Sequence, residues 1–373
     1  MKGTEEIYFK QLNGIRFVAV FLVLVDHWLI PIMPFPTGHL GVVIFFVLSG
    51  FLITRILFES ADEVRANQSS PWQKLGRFVY RRSLRIFPIY FLVLGVGFLF
   101  NLSNFRNIWL WLMTYTPNIY MMWKGTWLGI WDHLWSLAVE EQYYLVFPYF
   151  ILFLKRDYYK WIFISMLFLG IISRFFFFIY NDHDYLQTKY MVSYVNPIHA
   201  VDCFGFGGIL AYFYHYNQDQ FTKIIRFRLA ILYSGILLIL VLYLSLNATF
   251  SYDNIWYAVL ERFIYSLFAF FLIANAVAEK TSSWTSFLQH PWISYLGKIS
   301  YGLYLYHNLI YNFYHTEGNT LWGYLTKHYK IFQLEFFSFA FPIFIINLLI
   351  LILLASFSWF LIEKPINAFK NKI

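Results

Sequence analysis

Arg16 and His27 stand eleven residues apart in the first hydrophobic segment, LNGIRFVAVFLVLVDHW. Eleven helical steps of about 100° close three turns with roughly 20° left over, so both side chains leave one helix face, about 16 Å apart along the axis. Charge inside an apolar stretch is costly and marks ion or substrate pathways. A guanidinium near one end and an imidazole near the other suit an anion site coupled to an acid/base site. The same residues also fit a helix that ends at two interfaces, with Arg16 snorkelling and His27 among headgroups.

Further segments carry reactive side chains. WQKLGRFVYRRSLRIFPIY gathers Arg77, Arg81, Arg82 and Arg85. Arg82 and Arg85, three apart, share a helix face. Guanidinium forks suit phosphates, each offering two parallel donors; binding of anionic lipid or simple topology setting would use the same residues. WDHLWSLAVEEQYYLVFP places His133, Ser136, Glu140 and Glu141 at the head of another apolar run. Neighbouring helical acids diverge by about 100°, so only one faces a given partner. A carboxylate beside His27 would orient the imidazole as the third member of a triad does, and Glu140 is the candidate. Acids are equally favoured at any helix start by the dipole. In LGKISYGLYLYH, Ser300, Tyr304 and His307 follow i, i+4, i+7 and form a stripe that either lines a cavity or bonds neighbouring helices. Ser49 lies in GVVIFFVLSGFLIT, where Gly41, Ser49 and Gly50 let helices approach closely. Asp202 is a lone intramembrane acid expected to pair with an arginine. The single cysteine, Cys203, reads as a small packing residue. No histidine pair at metal-ligand spacing converges with an acid, so no metal site is expected.

The elements that must position these residues are membrane helices. Hydrophobic residues make up 60% and charged residues 13%, and the mean hydropathy is +0.55, values far from a soluble average. Ten runs of about 17–25 residues suit a bilayer: 12–33, 39–58, 84–101, 134–154, 160–180, 197–214, 229–247, 256–277, 298–314 and 337–361. Backbone groups in lipid must be satisfied within the span, so the runs predict helices, and the fold class is an all-α polytopic bundle. No cleavable signal precedes the first run. The N-terminus and the segments near 55–85, 155–160, 215–228, 279–298 and 362–373 hold twenty of the 28 basic residues. This asymmetry predicts both termini in the cytoplasm. The net charge of +8 is then mostly topology bias rather than a sign of nucleic-acid binding. No soluble stretch is long enough for its own core, so residues 1–373 read as one integral-membrane domain of a multi-pass cell-membrane protein.

Taken together these segments resemble the acyltransferase 3 family of bacterial membrane O-acyltransferases. The resemblance rests on Arg16 and His27 separated by ten residues, on Gly41 through Thr54, and on Arg82 and Arg85 with Ile86, Pro88 and Tyr90 following. It continues in His133 through Tyr144 with Glu140 at the characteristic glutamate, loosely in Asp202 and Gly207, in Leu296 through His307, and in Ile362 to Pro365. It implies transfer of an acyl group, usually acetyl, from cytoplasmic acyl-CoA, with acetyl-CoA as co-substrate, to a hydroxyl of a carbohydrate or lipid-linked sugar. It also implies a catalytic role for His27 and donor contacts for Arg16, Arg82 and Arg85. The chain is similar to the stand-alone members without a hydrolase-like extension. His27 would act as base or as transient acyl carrier. The alternative from another class is a transporter or flippase of a glycosylated or acylated lipid, which shares buried charges and a midplane site.

Overall fold

The computed structural model describes residues 9–29, 36–181, 186–245, 255–279, 281–315, 328 and 340–372. Among them every regular element is helical. In chain order these are α1 (Lys10–Trp28), α2 (Thr37–Arg65), α3 (Pro71–Leu99), α4 (Trp109–Met113), α5 (Pro117–Lys124), α6 (Leu134–Phe153), α7 (Tyr159–Tyr180) and α8 (Leu186–Val195). They continue with α9 (Val201–Tyr216), α10 (Gln218–Ser245), α11 (Ile255–Ala278), α12 (Ser283–Gln289), α13 (Pro291–Lys298), α14 (Ser300–His315), α15 (Ala340–Ser358) and α16 (Lys364–Ala368). Residues 1–8, the Pro-rich turn at 30–35 and His183 lie outside the described residues.

Among the described residues, five segments are long and apolar enough to cross a membrane: α2, α3, Arg156–Tyr180, Tyr257–Ala278 and Ile343–Ala368. The sequence pattern predicts ten. The expected run at 229–247 ends outside the described residues; for the other four the difference has a physical source. α1 carries Arg16, Asp26 and His27, and α6 carries Glu140, Glu141 and Gln142, so their apolar content is diluted by the residues that could do chemistry. α9 and α14 are 16 residues each, shorter than the usual span.

α2 is the hub, packing against α1, α6, α9 and α11. Most of its length is buried, from Val42 and Val43 through Phe58 and Ala61. Small residues permit this crowding: a Cβ on Gly50 would strike the backbone of Phe204, and one on Gly207 the backbone of Val47. α9 is tied to α7 by a buried ion pair, Arg174 Nη2 to Asp202 Oδ2 at 2.6 Å, the partner expected of that lone acid. Cys203 is buried beside Ser266, as a packing residue would be.

α3 begins well before the expected span start at residue 84. Ser70 accepts from the Gln73 backbone and Gln73 returns a bond to the Ser70 backbone, a reciprocal cap completed by Pro71 in the first turn. Arg77, Arg81, Arg82 and Arg85 therefore project from one continuous rod.

Candidate functional site

Two cavities meet at the middle of the bundle, and Val42 and Tyr304 line both. The first is narrow, about 90 Å³, and lies among α1, α2, α3, α6 and α14. Arg16, Arg82 and Arg85 line it together with Ser49, Ser136, Glu140, Ser300 and Tyr304. Glu140 shares this cavity with the three guanidiniums. Glu140 Oε1 accepts from Ser49 Oγ at 2.7 Å, and Ser49 accepts from the Tyr144 hydroxyl at 3.1 Å. The Arg82 guanidinium lies 5.0 Å above the Tyr144 ring, a cation–π contact. Glu141 lines the same cavity, and its Oε1 is buried without a hydrogen-bond partner among the described residues.

The second cavity is larger, about 440 Å³, and lies among α1, α2, α6, α8 and α14. His27 and His133 line it with Asp26, His39, Asp132 and Asn308. Trp127, Trp135, Tyr194 and Tyr311 supply aromatic surface. Behind it, His307 is fully buried. His27 Nδ1 lies 2.8 Å from His307 Nε2, and His307 Nδ1 lies 2.5 Å from the Tyr304 carbonyl oxygen. A carbonyl oxygen only accepts, so His307 Nδ1 carries the hydrogen. For a neutral His307, Nε2 then accepts from His27 Nδ1–H. The His27 lone pair is thereby left on Nε2, where a base or nucleophile needs it. His133 closes the cluster, its ring centroid 4.9 Å from that of His307 and its Nε2 bonded to the Leu305 carbonyl.

Between the cavities stands one polar contact. Ser136 Oγ and the Tyr304 hydroxyl are 2.5 Å apart, and both reach the His133 carbonyl. The stripe Ser300, Tyr304 and His307 thus faces inward, each member at a different depth.

The expected pairing of Glu140 with His27 is replaced by another. Glu140 lies with Ser49 and the arginines, not in the cavity that His27 lines. Face and depth separate here. His133 and Glu140, seven residues apart, share a face of α6, but two turns are about 10 Å. His133 is level with His27, and Glu140 is two turns too deep. His307 occupies the position that the carboxylate was expected to take.

Several residues at the site carry no sequence signal of their own. His39, Asp26 and Asp132 line the larger cavity. Burial drives the Asp132 carboxyl up to about 7, against the opposing backbone N–H groups of Leu128 and Gly129. Lys370, just beyond α16, is pushed down to about 8 by burial and by the guanidiniums of Arg85, Arg82 and Arg81. α16 packs on α3, which brings this lysine to the arginine cluster from the far end of the chain.

Comparisons with known proteins point to one family. A family model described as an acyltransferase domain, acyltransferase 3, matches residues 9–361. A Staphylococcus aureus (strain COL) protein provisionally named an O-acetyltransferase is 28% identical over 341 residues, covering 83% of this chain and 52% of that protein. The O-acetyltransferase OatA of Staphylococcus aureus (strain NCTC 8325 / PS 47) is 28% identical, covering 96% of this chain and 57% of its own length. The peptidoglycan O-acetyltransferase OatA of Listeria monocytogenes is 32% identical over 169 residues, 40% of this chain and 25% of that protein. The chain spans about half the length of the Staphylococcus relatives. No solved structure matches.

Proposed function

The chain belongs to the acyltransferase 3 family, and from that premise we propose that it is a multi-pass cell-membrane O-acyltransferase that moves an acetyl group from acetyl-CoA to a hydroxyl of an envelope carbohydrate. The observation that carries this reading is the pair of cavities sharing Tyr304. One is lined by three arginines, the other by the His27 imidazole, whose Nδ1 is taken by His307.

Each cavity suits one substrate. Guanidinium forks on Arg82 and Arg85, with Lys370 nearby, match the phosphates of a coenzyme A donor. Arg16, on the face of α1 that leads toward His27, would guide the thioester end inward. Glu140 would hold the three guanidiniums in position. Aromatic faces beside Asp26, Asp132 and Asn308 suit a sugar, whose ring has an apolar face and a rim of hydroxyls. The Listeria relative's name specifies peptidoglycan, and a cell-wall glycan or lipid-linked sugar is the acceptor proposed here. His27 Nε2 is the reacting nitrogen.

The proposed topology has about ten spans and both termini in the cytoplasm. The donor then enters from inside, and the acceptor meets His27 nearer the outside. A membrane-impermeant thiol probe should label a cysteine placed in the 115–125 segment of intact cells, and one at 62–72 only after lysis.

The deciding experiment supplies acetyl-CoA to the protein in membrane vesicles. Free thiol should appear with ester-linked acetate on glycan, and His27→Ala should lower both about 10²-fold or more while the protein stays inserted. Glycolipid movement without thiol release would replace this reading with a flippase.

A further inference from the structure

Besides His27 and His133, the larger cavity contains an imidazole that acyl transfer through His27 leaves unused. His39 lies in the first turn of α2 and lines the cavity. Its Nδ1 is 2.9 Å from Glu261 Oε1 of α11. The second carboxylate oxygen accepts the Tyr190 hydroxyl of α8 at 2.6 Å. Glu261 is buried, and the Tyr194 ring packs against His39 with centroids 4.4 Å apart. Three helices therefore fix one histidine ring.

The chemistry of that ring follows from its partner. An ionised carboxylate only accepts, so His39 Nδ1 carries the hydrogen and Nε2, on the opposite edge, keeps a lone pair. A buried carboxylate on Nδ1 also stabilises the imidazolium that forms when Nε2 takes a proton. His27 is held differently. Its Nδ1 partner is another imidazole, which selects a tautomer but brings no negative charge. Two imidazoles of the cavity that His133 also lines are thus held differently, His27 against a ring and His39 against a carboxylate.

We propose that the His39–Glu261 pair is the base that takes the proton of the acceptor hydroxyl, and that His27 carries the acetyl group between donor and acceptor. The proposal rests on the acyltransferase reading of the site. In the first step His27 Nε2 bonds to the thioester carbonyl carbon. The carbon–sulfur bond breaks, and the coenzyme leaves as thiolate and takes a proton from solvent. In the second step the acceptor oxygen bonds to the acetyl carbon while its proton passes to His39 Nε2. The carbon–nitrogen bond breaks and its electron pair returns to His27. His39 then releases its proton to solvent, so one acetyl group has moved and no proton is gained or lost overall.

The test compares an acceptor that needs a base with one that does not. Hydroxylamine is a strong nucleophile without prior deprotonation, whereas a sugar hydroxyl is not. Cells expressing wild type, His39→Gln, Glu261→Gln or His27→Ala are assayed for ester-linked acetate on envelope glycans. Vesicles from the same cells are assayed for acetohydroxamate from acetyl-CoA and hydroxylamine, above the uncatalysed background. His39→Gln and Glu261→Gln should lower glycan acetate about 10²-fold and leave hydroxamate formation within about twofold of wild type; His27→Ala should lose both. Undiminished glycan acetate in His39→Gln overturns the proposal. Equal loss of both products in His39→Gln and Glu261→Gln makes the pair structural and overturns it too, as does a wild type that forms no hydroxamate. His27→Ala that keeps both products would remove the acyl carrier and overturn the proposal as well, whereas a wild type that adds no acetate to glycan above cells lacking the protein would sink the underlying acyltransferase reading instead.

Discussion

His27 and His307 lie ring against ring, centroids 4.9 Å apart, with Nδ1 of one bonded to Nε2 of the other across 280 residues of sequence. His307 is in turn anchored to the carbonyl of Tyr304 in its own helix. The tautomer of His27 is thus set by backbone geometry in α14, relayed through one buried ring. His307→Ala should lower the turnover number about 10- to 10²-fold with little change in the donor KM, because orientation is lost and binding is not. His307→Gln, whose amide oxygen can accept from His27 Nδ1–H, should recover part of the loss. Equal damage from both substitutions would argue against tautomer control.

The arginine-lined cavity predicts a preference for forks over point charges. Arg85→Lys keeps the charge and loses the bidentate geometry, so coenzyme A should bind more weakly by several-fold. Arg82→Ala should cost at least as much, because it also removes the guanidinium over Tyr144. Titration calorimetry with coenzyme A reads both, and unchanged affinities would return the cluster to a topological role.

Lys370 gives donor binding a pH signature. Its ammonium, normally lost near 10.5, is lost near 8 in the folded protein. A bound phosphate favours the charged form, so binding above that pH takes up a proton and weakens as pH rises through about 8 and beyond. Coenzyme A affinity measured from pH 7 to 9.5 should fall in wild type and fall less in Lys370→Gln.

Glu140 and Glu141 should differ sharply in consequence. Glu140 accepts from Ser49 in the cavity that three guanidiniums line, whereas Glu141 Oε1 has no hydrogen-bond partner among the described residues. Glu140→Gln should reduce acetyl transfer by about an order of magnitude or more, on the scale of removing a charge from a buried polar cluster, and Glu141→Gln much less. The reverse ranking of initial rates would place the organising carboxylate at Glu141.

Asp132 links stability to pH. Its carboxyl titrates near 7 in the folded protein and near 3.8 otherwise. A raised folded value means a contribution present in full below about pH 4 and lost as pH climbs through about 7. The thermal midpoint in detergent should therefore decline over that window in wild type. In Asp132→Asn that component of the decline should be missing, and parallel profiles would show that Asp132 does not titrate there.

Much of this site could be read from spacing alone. Arg16 with His27, Arg82 with Arg85, and Ser300 with Tyr304 and His307 each share one helix, and helical periodicity reveals a shared face. Pairings between helices could not be read that way. His39 meets Glu261 across 222 residues, and neither has a local pattern that announces the other. The case of Glu140 is intermediate. Periodicity puts it on the correct face of α6, but axial depth depends on how α6 slides against α1, which the α2 packing decides. The number of spans suffers from a related effect, since hydropathy falls in the helices richest in reactive side chains.

Tyr304 has a consequence for the membrane as well as for the reaction. Its ring lines both cavities, so on the proposed topology a single aromatic layer, with Val42 beside it, separates water on the two sides of the bilayer. On the proposed function an acyl group would pass through a wall that must stay closed to protons. Tyr304→Gly in sealed vesicles should collapse an imposed proton gradient faster than wild type does, as a pH-sensitive dye inside would record, whereas equal decay would mean that other side chains hold the seal. Electrical insulation of the cell and delivery of the acetyl group then depend on the same few ångströms of packing, and neither can be loosened without loss to the other.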